Sequence, residues 1–214
     1  MNSFIHIFLG LGAMLIALTV HEFCHGLAAF LMGDETAKRA GRLTLNPVAH
    51  IDPVGTILIP LIGAFSGVPI FGWAKPVPYN PHNLRYRKWG PALVAFAGPG
   101  SNFLSAILAL IGLKLSLTVF GFGPNNLLVI FLVLLVSINV VLGVFNFIPV
   151  PPLDGSNMLS VFLDHPKYRE IRFLLETKGP MFLMIFILLD FYTFHILGTI
   201  FGAAISFTFS LAGL

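Results

Sequence analysis

His21-Glu22-Phe23-Cys24-His25 sets two imidazoles and a carboxylate inside an otherwise apolar stretch. Histidines four apart point from one face of a helix, the spacing that lets both rings hold one zinc ion. Glu22, between them, can accept a proton from water that such an ion activates. A charged side chain at mid-bilayer costs about 2.5–3.5 kcal/mol on insertion scales, so a carboxylate kept there reads as functional. The chemistry indicated is hydrolysis inside a membrane.

The stretch carrying these residues, 4–32, is long enough to cross a bilayer as one helix. With 57% hydrophobic residues in 214, 12 Lys+Arg and 9 Asp+Glu, the chain is too apolar for a soluble domain. The expectation is an all-α polytopic membrane protein forming one domain, 1–214. The first run lacks a basic leader region and is too long for a cleaved signal, so it reads as retained. Cys24 is the single cysteine, which excludes an intramolecular disulfide. Its place between the histidines admits a metal role, but a small apolar side chain packed between helices is the plainer reading. The net charge of +3 suits basic cytoplasmic loops. No basic tract with interleaved aromatics points to nucleic acid.

Four further apolar stretches follow at 51–71, 91–113, 127–148 and 180–214, separated by polar segments at 33–50, 72–90, 114–126 and 149–179. Lys38, Arg39 and Arg42 lie in the first polar segment, Lys75, Arg85, Arg87 and Lys88 in the second. The third holds Lys114, and the fourth Lys167, Arg169, Arg172 and Lys178. If 51–71 dips into the membrane and returns, the three basic segments share the cytoplasmic side and the sparse one lies outside, as the positive-inside bias requires. Pro53, Gly55, Pro60, Gly63, Gly67 and Pro69 break a continuous helix there, as a re-entrant element buried against protein would. The run 180–214 is long for one helix, and Asp190 and His195 near its middle suggest two short segments meeting at a polar junction. A second metal site at that pair is the sharper alternative. The total is about five to six membrane segments, with a small β or re-entrant element between the first helix and the next span.

A catalytic zinc needs a third protein ligand. Asp34, Glu35, Asp164, Glu170 and Glu176 sit among charged neighbours and read as solvated. His6 is too far along the same helix to share an ion. Of His50, Asp52, His82 and Asp154, the last is the strongest candidate. It follows Pro149, Pro151 and Pro152, which force extended backbone, and precedes a short helix expected at 156–163. Asp154 could equally be an N-cap for that helix, and the two roles are compatible. His50 and Asp52 could organise the re-entrant element or support the metal ligands, and His82 reads as exposed.

HEFCH in a membrane helix, AGPGSNF at 97–103 and NFIPVPPLDG at 146–155 together resemble the site-2 protease family of intramembrane zinc metalloproteases. The strings GRLTLNPVAHIDPVGTI (41–57) and FGWAKPVPYNPHNLR (71–85) resemble its compact prokaryotic branch without a PDZ domain. The likeness covers about residues 10–163, and the catalytic core is expected at about 4–163, with C-terminal membrane segments at 180–214. It implies one Zn2+ per chain held by His21, His25 and Asp154, with Glu22 as catalytic base. Asn146 matches the asparagine upstream of the family's LDG motif, where an amide could hold substrate or an oxyanion. The resemblance also implies transmembrane protein substrates, including tethered regulators released by cleavage.

If Met32 marks the cytoplasmic boundary, the histidines lie about 10–17 Å inward of it, given a 1.5 Å rise per residue. The site then faces the cytoplasmic side of a prokaryotic cell membrane. A substrate helix must unwind to expose its carbonyls, and an extended edge at 71–80 could capture it by strand addition. Phe71, Gly72, Trp73, Ala74, Lys75, Pro76, Val77 and Pro78 are its candidate substrate-binding residues, the prolines confining it to an edge. Gly98, Pro99, Gly100, Ser101 and Asn102 read as close packing and hydrogen bonding that support the site. A metal-ion transporter is the alternative function and a catalytically dead scaffold a third. The oligomeric state is not legible in these residues.

Overall fold

The apolar runs become long helices because backbone groups inside a bilayer can be satisfied only within the helix. The computed structural model describes residues 3–66 and 73–214. Helix α1 spans Ser3–Leu31 and is followed by the single turn α2, Thr36–Arg39, and the short α3, Ile59–Ser66. Next come α4 (Gly90–Thr118), α5 (Leu127–Asn146) and α6 (Asp154–Ser160), then α7 (Arg169–Leu189) and α8 (Ile196–Leu211). A 20-residue helix such as α5 rises about 30 Å, the hydrocarbon thickness of a bilayer. Among the described residues, α1, α4 and α5 are long and apolar enough to cross, and α7 with α8 count as a fourth if that bent pair is one span. The chain is an integral membrane protein. No strand forms among the described residues.

Helix α4 packs between α1 and α5. Ala106, Ala109, Leu110 and Leu113 of α4 interleave with Val129, Val136 and Val140 of α5, and Ala212 closes the cluster. Small side chains let the axes approach, which drives association where lipid is as apolar as protein. A second cluster joins Phe145 and Leu153 to Leu183, Leu197 and Phe201, anchoring the proline segment against the C-terminal helices. Phe4, Phe8, Leu104, Ile107, Leu108 and Ile111 project outward where lipid would cover them.

The stretch read as re-entrant forms a π-helical turn, Pro53–Leu58, running into α3. Six plus eight residues rise about 20 Å, short of the roughly 30 Å needed to cross. Asp52 caps this turn, its Oδ1 accepting from the Val54 and Gly55 N–H groups at 3.0 and 2.8 Å. His50 is buried, with Nε2 against the Thr44 carbonyl at 2.8 Å. Asp52 and His50 thus hold this turn and the loop that leads into it.

The C-terminal run breaks where Asp190 and His195 stand, and α7 and α8 meet at 82°. A π-helical turn covers Asp190–Phe194, and His195 adopts a left-handed φ of 54°. The buried Asp190 carboxylate accepts the Ile196 and Leu197 N–H groups at 2.7 and 3.1 Å. Both of its oxygens are thereby engaged in capping α8, which is the junction role rather than the metal role. One boundary differs from the sequence reading: α7 begins at Arg169, not near 180, and Pro180 lies inside it. The hydropathy of 169–178 conceals a helix of good formers braced by Arg172 Nε to Glu176 Oε1 at 2.8 Å.

Candidate metal centre

Helix α1 presents His21 and His25 on one face, and each ring is fixed at Nδ1. His21 Nδ1 meets Asn102 Oδ1 at 2.6 Å, and His25 Nδ1 meets the Val94 carbonyl at 2.7 Å. A backbone carbonyl can only accept, so His25 carries its proton on Nδ1 and turns the Nε2 lone pair inward. Glycine at 98 makes room. A Cβ there would stand 2.7 Å from His21 Cε1 and closer still to His25 Nε2. The glycine read as packing support is thus what lets α4 lie against the imidazoles.

Asp154 arrives from the other side of the fold. Helix α5 ends at Asn146, the proline segment turns back, and α6 starts with Asp154 as its first residue. Leu153 occupies the cap position and Asp154 makes no cap hydrogen bond, so the N-cap role gives way. The expected helix 156–163 begins two residues sooner and ends at Ser160. Gly155 is required because a Cβ would strike the Phe147 and Ile148 carbonyls. Asp154 Oδ2 lies 3.2 Å from both His21 Nε2 and His25 Nε2, and the two Nε2 atoms are 3.0 Å apart. His21, His25 and Asp154 are the only group of potential metal ligands among the described residues.

This arrangement fits a divalent cation. Asp154 Oδ2 is buried and accepts no hydrogen bond. A carboxyl group is ordinarily ionised at neutral pH, so this oxygen carries negative charge. An anionic oxygen and inward-turned nitrogen lone pairs repel unless something positive lies between them. Ligand atoms on a tetrahedron with arms of about 2.0–2.1 Å would sit roughly 3.3 Å apart. The three observed edges are close to that.

Glu22 does not join the trio. Its Oε2 accepts the Val77 N–H at 2.8 Å, which ties the carboxylate to the segment that begins at Trp73. In that segment the Trp73 N–H donates to the Gly55 carbonyl at 3.1 Å and the Lys75 N–H to the His50 carbonyl at 3.0 Å. Alternate residues bonding to one side is the pattern of extended chain. Of the candidate substrate-binding residues, Trp73, Ala74, Lys75, Pro76, Val77 and Pro78 are described, while Phe71 and Gly72 lie outside the described residues. Asn146 sits at the end of α5 with its amide donating to the Leu142 carbonyl at 3.0 Å.

Some contributors escaped the sequence reading. Arg42, counted as a loop charge, is buried, and its Nη2 grips the Lys75 and Pro76 carbonyls at 2.5 and 3.3 Å. Asp34, read as solvated, is fully buried. It accepts from Thr36 Oγ1 at 2.6 Å, the Asn80 N–H at 2.7 Å and Asn83 Nδ2 at 2.9 Å. A charged neighbourhood in sequence hid an aspartate whose partners are supplied 46 and 49 residues away. Asn139 was the detectable omission, being a polar residue deep in the run 127–148, which is a signal in membrane helices. His82 is exposed as expected, His6 is exposed too, and Cys24 faces Ser101 rather than the trio.

Residues 123–189 match the model of peptidase family M50. A Bacillus subtilis protein named "Putative zinc metalloprotease YwhC" is 39% identical over 153 residues, covering 69% of this chain and 65% of that relative. The Rip2 protein of Mycolicibacterium smegmatis, named in the same terms, is 31% identical over 194 residues, 87% of this chain and 69% of that relative. Its Mycobacterium tuberculosis counterpart is 29% identical over 202 residues, 94% of this chain and 72% of the relative. The chain thus spans about two thirds of the length of these proteins. No solved structure matches significantly.

Proposed function

The chain belongs to peptidase family M50, the site-2 protease family, and on that premise we propose that it hydrolyses peptide bonds within or near transmembrane segments of membrane proteins as a zinc metalloprotease. The observation that carries the reading is the convergence of His21 Nε2, His25 Nε2 and Asp154 Oδ2 within 3.2 Å of one another. In this reading those three side chains hold one Zn2+ per chain. When bound, zinc supplies Lewis acidity, bringing the pKa of water towards about 7 and polarising a carbonyl.

The chain's own residues do the rest. Glu22 is the catalytic base. The Val77 N–H holds Oε2, which leaves Oε1 to take the proton of the attacking water and return it to the leaving amine. Asn146 uses one amide hydrogen on the Leu142 carbonyl and keeps a second for the developing oxyanion. The segment from Phe71 to Pro78 receives the unwound substrate. Residues 73, 75 and 77 bond inward, so 74, 76 and 78 face the other way. Arg42 already holds the Pro76 carbonyl, whereas Pro78 offers a carbonyl but no donor, so substrate would bond there through its own N–H groups.

The whole chain works as one domain of five to six membrane segments, with 51–71 re-entrant. Lys38, Arg39, Arg42, Lys75, Arg85, Arg87 and Lys88 all lie between α1 and α4, in the stretch whose Val77 N–H reaches Glu22, which favours a cytoplasmic-facing site. Purified protein presented with a transmembrane peptide in liposomes tests the function. Chelator-sensitive cleavage that vanishes in Glu22→Gln supports it. Ion flux without cleavage would favour a metal transporter instead, and peptide binding without either would favour a scaffold.

A further inference from the structure

Three buried polar groups run in a line behind the metal centre. His21, Asn102 and Asn139 are each at most 5% exposed, and they come from α1, α4 and α5 respectively. Asn139 Nδ2 donates to the Leu135 carbonyl at 2.8 Å. Asn102 Nδ2 donates to Asn139 Oδ1 at 2.9 Å, and His21 Nδ1 meets Asn102 Oδ1 at 2.6 Å.

The polarity of this line has only one end that cannot be reversed. The Leu135 carbonyl is an acceptor and nothing else. It therefore takes the amide nitrogen of Asn139, which turns Asn139 Oδ1 towards α4. That oxygen in turn takes the amide nitrogen of Asn102, leaving Asn102 Oδ1 to face His21. An oxygen facing His21 Nδ1 needs a proton there, so in the neutral ring, the form that can bind an ion, the lone pair resides on Nε2, the atom in the metal centre. A second acceptor, the Ala17 carbonyl, lies 3.4 Å from Asn102 Nδ2, at the limit of hydrogen bonding, and holds the amide more weakly than Asn139 Oδ1 at 2.9 Å.

We propose that Asn139 and Asn102 form an orientation relay in which an α5 backbone carbonyl, three links away, dictates the His21 tautomer that can bind the ion. Both are positioning residues, and neither touches the reacting atoms. The relay rests on the metalloprotease reading for its purpose, but its effect on the tautomer can be measured with no metal present. His25 needs no such relay because Val94 supplies a backbone acceptor directly. The amide of Asn102 can flip, so its direction has to be set from outside.

The decisive experiment is a cycle of Asn139→Leu and Asn102→Asp, read by zinc affinity from chelator competition and by 15N NMR of metal-free, histidine-labelled protein. His21 is assigned in the spectrum through His21→Gln. Asn139→Leu is expected to weaken zinc about 10–100-fold, the usual cost of losing a partner behind a ligand. It should also convert His21 from Nδ1–H to a mixture of tautomers. A carboxylate at 102 has two equivalent acceptor oxygens and needs no orienting. In the Asn102→Asp background, Asn139→Leu should therefore change zinc affinity by no more than about threefold, strong non-additivity for a pair in contact. Equal losses in both backgrounds would reduce Asn139 to packing and overturn the relay. An unchanged His21 tautomer in Asn139→Leu would overturn it as well, and that readout survives if Asn102→Asp fails to fold. Wild-type protein that shows the Nδ1–H tautomer but binds no zinc would sink the metalloprotease reading while leaving the relay standing.

Discussion

Replacing Gly98 by alanine adds one methyl group, and its cost follows from where that methyl must go. The Cβ would stand 2.7 Å from His21 Cε1 and closer to His25 Nε2. Ordinary contact begins at about 3.5 Å between carbons, so the imidazoles must retreat by roughly 1 Å or α4 must back away. Metal–ligand distances tolerate only about ±0.2 Å, and a 1 Å misplacement at a reacting centre costs about 10²-fold. Zinc affinity is expected to fall by at least about that factor, with cleavage falling alongside. Helix propensity acts in the opposite direction, since alanine is favoured over glycine by about 0.8–1.0 kcal/mol within a helix. Metal-free protein should therefore melt within a few degrees of wild type, separating site damage from unfolding. Gly100→Ala is the internal control: the same change two residues on meets the Phe96 ring first, no nearer than 3.3 Å at Cε1, and should keep zinc and activity. Zinc titration of the purified variants, beside their thermal melts, provides the assay. Wild-type zinc affinity in Gly98→Ala would refute the claim that α4 and the two histidines share a gap too narrow for a methyl.

Arg42→Met keeps the aliphatic stem but releases the Lys75 and Pro76 carbonyls, so Val77 should lose its hold on Glu22. Steady-state kinetics on a transmembrane peptide should show kcat/KM down about 10-fold or more, with zinc content unchanged; an unaltered kcat/KM would count against this role for Arg42. Burial alone would raise the pKa of Asp34, but hydrogen bonds from Thr36, Asn83 and Asn80 together lower it. Its stabilisation is therefore complete at neutral pH and lost as pH falls below about 4, through the unfolded value and then the folded one. The melting-temperature gap between wild type and Asp34→Asn should be wide at pH 7 and close in acid, and a gap independent of pH would contradict this. Asp190→Ala removes the acceptor for two N–H groups at the start of α8, which should cost about 0.5–2 kcal/mol and expose α8 amides to hydrogen exchange before those of α5.

The residues of the candidate site were legible because their side-chain types clash with their surroundings. His21, Glu22 and His25 interrupt an apolar run, and Asp154 follows prolines that cannot continue a helix. Helical period alone puts the two imidazoles on one face, and hydropathy alone marks α1, α4 and α5 as spans. The break at Asp190 and His195 was readable for the same reason, as polar groups placed where lipid forbids them without a partner. What periodicity cannot convey is which distant groups meet. Whether Asp154 caps α6 or faces the histidines depended on how α5, the prolines and α6 fold back over Gly98. The burial of Asp34 and Arg42 depended on partners dozens of residues away, and so did the alignment of Asn139 with Asn102 and His21. Local pattern determines what a segment can become; convergence of lone pairs from α1 and α6 is a property of packing, and only the tertiary structure decides it.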